Sequence, residues 1–323
     1  MMDRDFKKIF IVGAGTMGHG IAQAFAQGGY QVYMFSRTQK TLDRAAMLTK
    51  TSLDTMAEAG VIDKKDIPVI LGRIHPTQSL EEGARDADLA TETVVETKEA
   101  KIEIFKQLDK LCPPRALLAS NTTFLNIYDF VETSRPDKIL NIHWYTPPQI
   151  IPLVDVVKGP KTSDEIIKRV VQLLKKIGKK PAVFNKPTTG YVVSRLQMAI
   201  GREIHYLLDN DYLSPSELDD AAKWGLAFRM MVVGVVQRFD FGGLDLSVKF
   251  NETPSAQALA TPLDYKPKKL YELYKQGHLG VKSGKGYFDY QGKSEAEVCR
   301  ERDIRLLKLL KAIQDIDLSS PVV

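Results

Sequence analysis

The stretch Ile9-Phe10-Ile11-Val12-Gly13-Ala14-Gly15-Thr16-Met17-Gly18 carries the first decision about this chain. An apolar run of strand length enters three glycines at G-x-G-x-x-G spacing, and a helical pattern opens at His19. In that context the motif predicts a dinucleotide site. Gly13 permits the tight turn, Gly15 leaves room for a pyrophosphate, and Gly18 lets helix and strand approach closely. Thr16 and Met17 fill the turn, and the helix beyond offers free N–H groups and a positive dipole end to phosphate. A glycine turn without a ligand is the simpler reading. The strand before it and the helix after it favour the cofactor.

The 323 residues are enough for two domains with cores of their own. A chain 26% charged and 44% hydrophobic is globular in composition, not disordered. A net charge of +5 without a dense Lys/Arg run predicts no nucleic-acid surface. Cys112 and Cys299 lie far apart and outside any C-x-x-C pattern. They fit a reducing compartment and offer neither a disulfide framework nor a cysteine metal site. No apolar run reaches the ~20 residues of a membrane span, and no signal-peptide core precedes the first strand. The expectation is a cytoplasmic protein acting on a small molecule, with no metal, membrane or nucleic-acid partner.

Beyond the first helix, Tyr30 to Phe35 reads as a second buried strand. In NAD-binding units this strand normally ends in Asp or Glu, which accepts from the ribose hydroxyls. Here Ser36-Arg37-Thr38 stand instead. A guanidinium grips a 2′-phosphate and hydroxyls donate to it, whereas a carboxylate would repel it. The expected cofactor is therefore NADP in preference to NAD, the alternative being NAD held through hydroxyls alone. Thr41 to Gly60 and Lys64 to Gly72 form a helical pair longer than a minimal crossover, expected to project from the domain. His75, before Pro76, reads as a loop residue.

A strand from Leu89 to Val95 precedes Glu96, and Lys98 to Leu111 is a helix with Ile102, Phe105, Leu108 and Leu111 on one face. Ala116 to Ala119 is a short strand ending in Ser120-Asn121-Thr122-Thr123. Open α/β sheets bind ligands at such strand ends, although a hydroxyl-rich loop is also ordinary turn chemistry. Lys138 to Trp144 is a strand carrying His143, and Leu153 to Val157 is another. A helix over Lys161 to Gly178 and a strand over Pro181 to Phe184 complete the alternation. It predicts a Rossmann-type, doubly wound, mostly parallel sheet, with an all-helical domain to follow.

The polar junction Asn185 to Thr189 divides a dinucleotide-binding domain, 1–186, from a helical substrate and dimerisation domain, 187–323. The second domain opens with a long helix from about Gly190 to Asp209. Ser214-Pro215-Ser216-Glu217 then combines an N-cap, a proline at the first position and a capping-box Glu. Gly225 is the expected end of that helix, and Leu270 to Gln276 and Ser294 to Ile316 supply two more. Gly280 to Tyr290 reads as a turn-rich structural segment, because no strand–loop–helix unit surrounds its glycines.

The chain resembles the 3-hydroxyacyl-CoA dehydrogenase family over nearly its full length. The resemblance rests on Val12 to Gly18, Thr93-Val94-Val95-Glu96, Ala119-Ser120-Asn121-Thr122 and His143-Trp144-Tyr145. It continues through Pro152 to Val157, Thr189 to Arg195 and Gly280 to Tyr290. It implies hydride transfer between NAD(P) and the 3-hydroxy or 3-oxo group of an acyl-CoA or related hydroxy acid. It further implies His143 as the general base and Asp155 as the acid that orients the imidazole. Glu96, Lys101 and Asn121 match positions near the nicotinamide end of the cofactor. Ser120, Thr123 and Ser194 are implied donors to the substrate oxygen. Thr146 takes the place of the asparagine in the family's His-aromatic-aromatic-Asn run. A homodimer formed through the helical domain is also implied, with Phe228 to Val236 a candidate interface or, equally, a core helix.

The chain departs from the family pattern at several places. The family carboxylate is usually Glu; Asp155 is one methylene shorter, so a backbone shift or a bridging water is expected between it and His143. Ser194 replaces an asparagine, and Gly234-Val235-Val236-Gln237 stands where Gly-Pro-Phe-Glu is usual. These changes bear on the acyl-CoA more than on the hydride chemistry, and the family includes dehydrogenases of small free hydroxy acids such as carnitine or gulonate. The 6-phosphogluconate and 3-hydroxyisobutyrate dehydrogenases share the glycine loop. They place a catalytic lysine on the interdomain helix, where Ser194-Arg195-Leu196-Gln197-Met198 has none. A non-catalytic nucleotide-binding or crystallin-like structural protein is the alternative from another class; retention of both His143 and an acid at 155 argues against it.

Overall fold

Residues 6–254 and 261–318 are described by a computed structural model. The chain divides into two compact units, Met1–Tyr191 and Val192–Val323. In the first, eight strands make one sheet in the order β3-β2-β1-β4-β5-β6-β7-β8. They are β1 (Lys8–Val12), β2 (Gln31–Phe35), β3 (Ile74–Thr77), β4 (Leu89–Glu92), β5 (Leu117–Ser120), β6 (Ile139–Trp144), β7 (Leu153–Lys158) and β8 (Lys180–Phe184). Every neighbouring pair is parallel except β6 and β7.

Successive strand residues face opposite sides of the sheet. Ile9 and Ile11 therefore join one buried cluster with α1 (Gly18–Gln27), α2 (Gln39–Glu58) and α6 (Asp164–Lys176). Phe10 and Val12 join a second cluster with α5 (Lys98–Leu111) on the other side. The two short helices between them in sequence are α3 (Ile67–Leu71) and α4 (Leu80–Ala84). Side-chain hydroxyls open most of these helices: Thr38 caps α2, Ser79 α4, Thr97 α5 and Ser163 α6, each satisfying one orphan N–H.

Four local expectations are corrected. The α2–α3 pair does not project: Leu42, Ala45, Leu53, Ile67 and Ile70 share a buried cluster with Ile21 and Phe25 of α1. His75 is not in a loop but in edge strand β3, opposite Tyr33, whose ring it meets at 4.9 Å. β4 stops at Glu92 because Thr93 turns toward the glycine loop, its N–H donating to Val12 O (2.8 Å) and its hydroxyl to Gly13 O (2.9 Å). On α5, Ile102 is 42% exposed while Lys101 is buried beside Phe105 and Leu108. An ion pair, absent from any apolar periodicity, decides that face.

The strand order reverses between β1 and β4, so the glycine loop and Thr93 stand at the point where open α/β sheets bind their ligands.

The second unit is helical: α7 (Val192–Asp209), α8 (Pro215–Ala221), α9 (Phe228–Val232), α10 (Gln237–Gly242), α11 (Leu244–Glu252), α12 (Lys268–Lys275) and α13 (Glu295–Ala312). Ser214 and Ser294 each form a full capping box. Gly225 does not end a helix; it lies inside a π-helical stretch, Ala222–Ala227, that joins α8 to α9. Gly234, at φ +76°, breaks the 228–236 segment, which is therefore not one long core helix. Gly280 to Tyr290 folds as turns closed by bridges between Gly280, Lys285 and Asp289. Among the described residues, no helix is long and apolar enough to cross a membrane, and no cluster of three metal-ligating side chains occurs.

Candidate active site

The glycine loop has the form that a pyrophosphate requires. Gly13 adopts φ +113°, and a Cβ on Gly18 would lie 1.7 Å from Gly13 O, so neither position tolerates a side chain without moving backbone. A Cβ on Gly15 would meet nothing within 4 Å. The space beside it is open, and Met17, the N-cap of α1, makes no side-chain cap. A helix N-terminus without a side-chain cap and an open glycine face together fit a dinucleotide phosphate. Met17 Sδ also accepts from the Thr146 hydroxyl at 3.1 Å, which ties this loop to the segment after β6. That segment is braced on α1, where Pro148 and Gln149 close over Gly20 and the Trp144 ring meets Phe25 edge-on at 5.5 Å.

His143 lies on β6, directly opposite Asp155 on β7. Antiparallel pairing with an apolar alternation on both strands puts these two polar side chains on one buried face. His143 Nδ1 lies 3.2 Å from Asp155 Oδ2, and both residues are buried. At 3.2 Å the shorter acid reaches the imidazole directly, with no room for a bridging water between the two atoms. A carboxylate only accepts, so Nδ1 carries the proton and Nε2 is left as the basic nitrogen. At 3.1 Å from Nε2 stands the Thr123 hydroxyl. Two tyrosines flank the ring, Tyr145 edge-on at 4.7 Å and Tyr191 tilted at 4.8 Å. Tyr145 Oη donates to the same Asp155 Oδ2. Tyr191 Oη accepts from Asn141 Nδ2 at 2.7 Å, and burial pushes its phenol up to about 12.

Behind Thr123 lies an ion cluster whose Lys101 and Glu92 are buried and whose Glu96 is exposed. Lys101 Nζ is 2.8 Å from Glu92 Oε1 and 3.1 Å from Glu96 Oε2. Burial pushes the Glu96 carboxyl up, but hydrogen bonds from the Thr122 hydroxyl and Phe124 N–H, with the Lys101 ammonium, outweigh it and hold the group below the usual range. Glu96 Oε1 also accepts from Thr123 N–H at 3.0 Å, so a single carboxylate oxygen shapes the Thr122–Phe124 turn.

These contacts sort the residues singled out in the sequence. His143, Asp155, Thr123, Glu96 and Lys101 form one connected network. Ser120 does not present a hydroxyl to solvent: it is fully buried, donates to Glu92 and accepts from Thr122 N–H. Asn121 Oδ1 accepts from Trp144 N–H at 2.8 Å and so stitches the ends of β5 and β6. Ser36 and Arg37 follow β2 with Arg37 exposed, and the Thr38 hydroxyl contacts Thr41 as the cap of α2. Ser194 lies in the first turn of α7, in the second unit. Three contributors escaped the sequence reading: Glu92, Tyr145 and Tyr191. Glu92 ends a buried apolar strand nine residues before a lysine, a pattern that could have flagged a buried pair.

Comparison with known proteins gives this geometry a context. Residues 8–187 match the family model of the 3-hydroxyacyl-CoA dehydrogenase NAD-binding domain, and residues 190–290 match that of its C-terminal domain. A probable 3-hydroxybutyryl-CoA dehydrogenase of Bacillus subtilis is 34% identical over 90% of this chain and 99% of its own. The 5-formyl-3-hydroxy-2-methylpyridine 4-carboxylate 5-dehydrogenase of Mesorhizobium japonicum is 28% identical over 95% of this chain and 98% of its own. A crystal structure of an enzyme of that name, described as an NAD+-dependent dismutase, superposes with a TM-score of 0.84 at 26% identity, covering 96% of this chain and 99% of the other. With its glycine loop at the reversal of the sheet and both family models matched in order, the chain belongs to the 3-hydroxyacyl-CoA dehydrogenase family.

Proposed function

We propose that this protein oxidises a secondary hydroxyl, or reduces the matching ketone, on an acyl-CoA or a related hydroxy acid, with His143 as general base and acid. The observation that carries this reading is the imidazole whose Nδ1 faces Asp155 and whose Nε2 faces a hydroxyl. A bound nicotinamide supplies the hydride acceptor, held through Gly13, Gly15, Thr16, Met17 and Gly18, with Asn121, Glu96 and Lys101 toward its reactive end. His143 Nε2 takes the substrate hydroxyl proton, and Asp155 stabilises the imidazolium that forms. Thr123 holds the place at Nε2 that a substrate hydroxyl would take. Thr146, whose hydroxyl meets Met17 of the glycine loop, adds a substrate contact from the same unit.

Two finer points belong to the same reading. Family membership is to an NAD-binding domain, and the carboxylate-free end of β2, with Ser36, exposed Arg37 and Thr38, supports NADP as the preferred member of the pair. The high structural similarity to a pyridine-carboxylate dehydrogenase favours a second substrate reading, a small free carboxylate instead of a CoA thioester. We assign the first domain to the cofactor and the second to substrate and dimer contacts.

The test is a panel of 3-hydroxyacyl-CoAs, free 3-hydroxy acids and the pyridine substrate named above, each with NAD and NADP. Turnover of one class with a kcat/KM preference for NADP is the expected result. A clear preference for NAD removes the phosphate-pocket reading and leaves the dehydrogenase intact. His143→Ala should lower kcat by about 10²–10⁴-fold, the span of general-base contributions, with cofactor affinity unchanged in a calorimetric titration. Retained turnover would remove His143 from the role.

A further inference from the structure

Asp155 is entirely buried, and its two oxygens are treated differently. Oδ2 faces both His143 Nδ1 and the Tyr145 phenol, whereas Oδ1 has no hydrogen-bond partner among the described residues. The arrangement follows from strand geometry. His143 and Tyr145 are two residues apart, so both side chains leave the same face of the chain. Asp155 is the direct cross-strand partner of His143 and a diagonal neighbour of Tyr145, a separation that a tyrosine spans. An aspartate side chain is too short to find other partners from that position, and Trp144, between the two donors, points into the opposite layer beside Phe25.

We propose that Tyr145 is a positioning residue of this site: its hydroxyl fixes Asp155 Oδ2 against His143 Nδ1 and limits how strongly that carboxylate raises the basicity of the imidazole. The proposal rests on the reading of His143 as the base, and it adds a residue whose hydroxyl sets the pH at which that base works. A buried carboxylate with one neutral donor besides the imidazole has part of its charge already stabilised. Less of it remains to favour the imidazolium. The other titratable groups near the pair are Tyr191, against the imidazole face from the residue just before Val192, and Glu96 with Lys101 and Glu92, behind Thr123. The buried phenol of Tyr191 stays neutral at working pH, and the ion cluster is linked to His143 by hydrogen bonds through Thr123.

The experiment is an NMR titration of the His143 imidazole in the full-length protein, its signal identified by its loss in His143→Gln, beside the pH profile of kcat/KM for oxidation. Tyr145→Phe keeps the ring and deletes the donor. It should raise the apparent pKa of the His–Asp pair by about one unit, moving the acid limb of the oxidation profile to higher pH by the same amount. In an Asp155→Asn background, Tyr145→Phe should change neither readout, since the tyrosine acts through the acid. Replacing Tyr145 by 3-fluorotyrosine, a stronger donor of the same shape, should shift the pKa downward and keeps the proposal testable if the phenylalanine variant does not fold. An unmoved titration in these variants overturns the proposal, as does a shift that persists in the Asp155→Asn background. Full turnover in His143→Gln would instead overturn the reading of the base, whatever Tyr145 does.

Discussion

At the scale of single residues, the glycines of the loop divide into two kinds that one motif does not separate. Gly18 is required by the fold, because any Cβ there would strike the Gly13 carbonyl, a backbone atom that cannot rotate away. Gly15 is surrounded by open space, so its smallness serves whatever approaches from outside. Gly18→Ala should therefore cost about 3 kcal/mol or more in stability, at the top of the range for overpacked sites. Gly15→Ala should stay within about 0.5 kcal/mol of the parent while losing at least about tenfold in dinucleotide affinity, which equals roughly 1.4 kcal/mol. Denaturant melts and calorimetric titrations of the two variants check both halves. Equal stability losses would remove the distinction.

At the scale of elements, the segment between β6 and β7 is held by a lysine. Lys179, just before β8, is buried, and its Nζ donates to Pro148 O (2.7 Å) and Ile151 O (2.9 Å) above the Trp144 ring. Burial depresses its ammonium from 10.5 to about 8. Below pH 8 both folded and unfolded chains carry the proton, and folding bears the full cost of burying the charge. Between about 8 and 10.5 only the unfolded chain binds it, so stability rises with pH through that window. The neutral amine still has two N–H groups for the two carbonyls. Unfolding measured from pH 7 to 10 should show a rise attributable to this group of up to about 3 kcal/mol, absent from Lys179→Met. Identical slopes in the two proteins would refute it.

At the scale of the molecule, the two units differ in how they bury apolar surface. The first has a core on each side of its sheet. Among the described residues from Val192 onward, Leu208 and Leu307 are the buried hydrophobic side chains, while Phe228, Val236 and Phe241 are 64%, 75% and 66% exposed. So much open apolar surface marks an interaction face, and the proposed occupant is a second copy of the chain. Sedimentation should give a dimer at micromolar concentration, and Phe241→Glu should shift it toward monomer with the fold of the first unit retained. A monomer that stays soluble at high concentration would end this reading.

What could be read from the chain alone was whatever depends on near neighbours. A strand, three spaced glycines and a helix announced the glycine loop; period-2 and period-3.6 patterns announced the alternation that builds the sheet; Ser214 announced its capping box. These signals are local because hydrogen-bond geometry and side-chain direction repeat within a few residues. His143 and Asp155 were linked in the sequence through the family resemblance alone; the antiparallel pairing of β6 with β7 is what sets residues twelve apart face to face. The tertiary structure decided the rest. It turned Lys101 inward and Ile102 outward, removed Ser120 from the solvent, placed His75 in a strand and set the Tyr145 hydroxyl on Asp155. Each of those outcomes depends on which groups meet from strands and helices far apart in sequence, and a buried charge or hydroxyl goes where its partner is, not where hydropathy alone would send it.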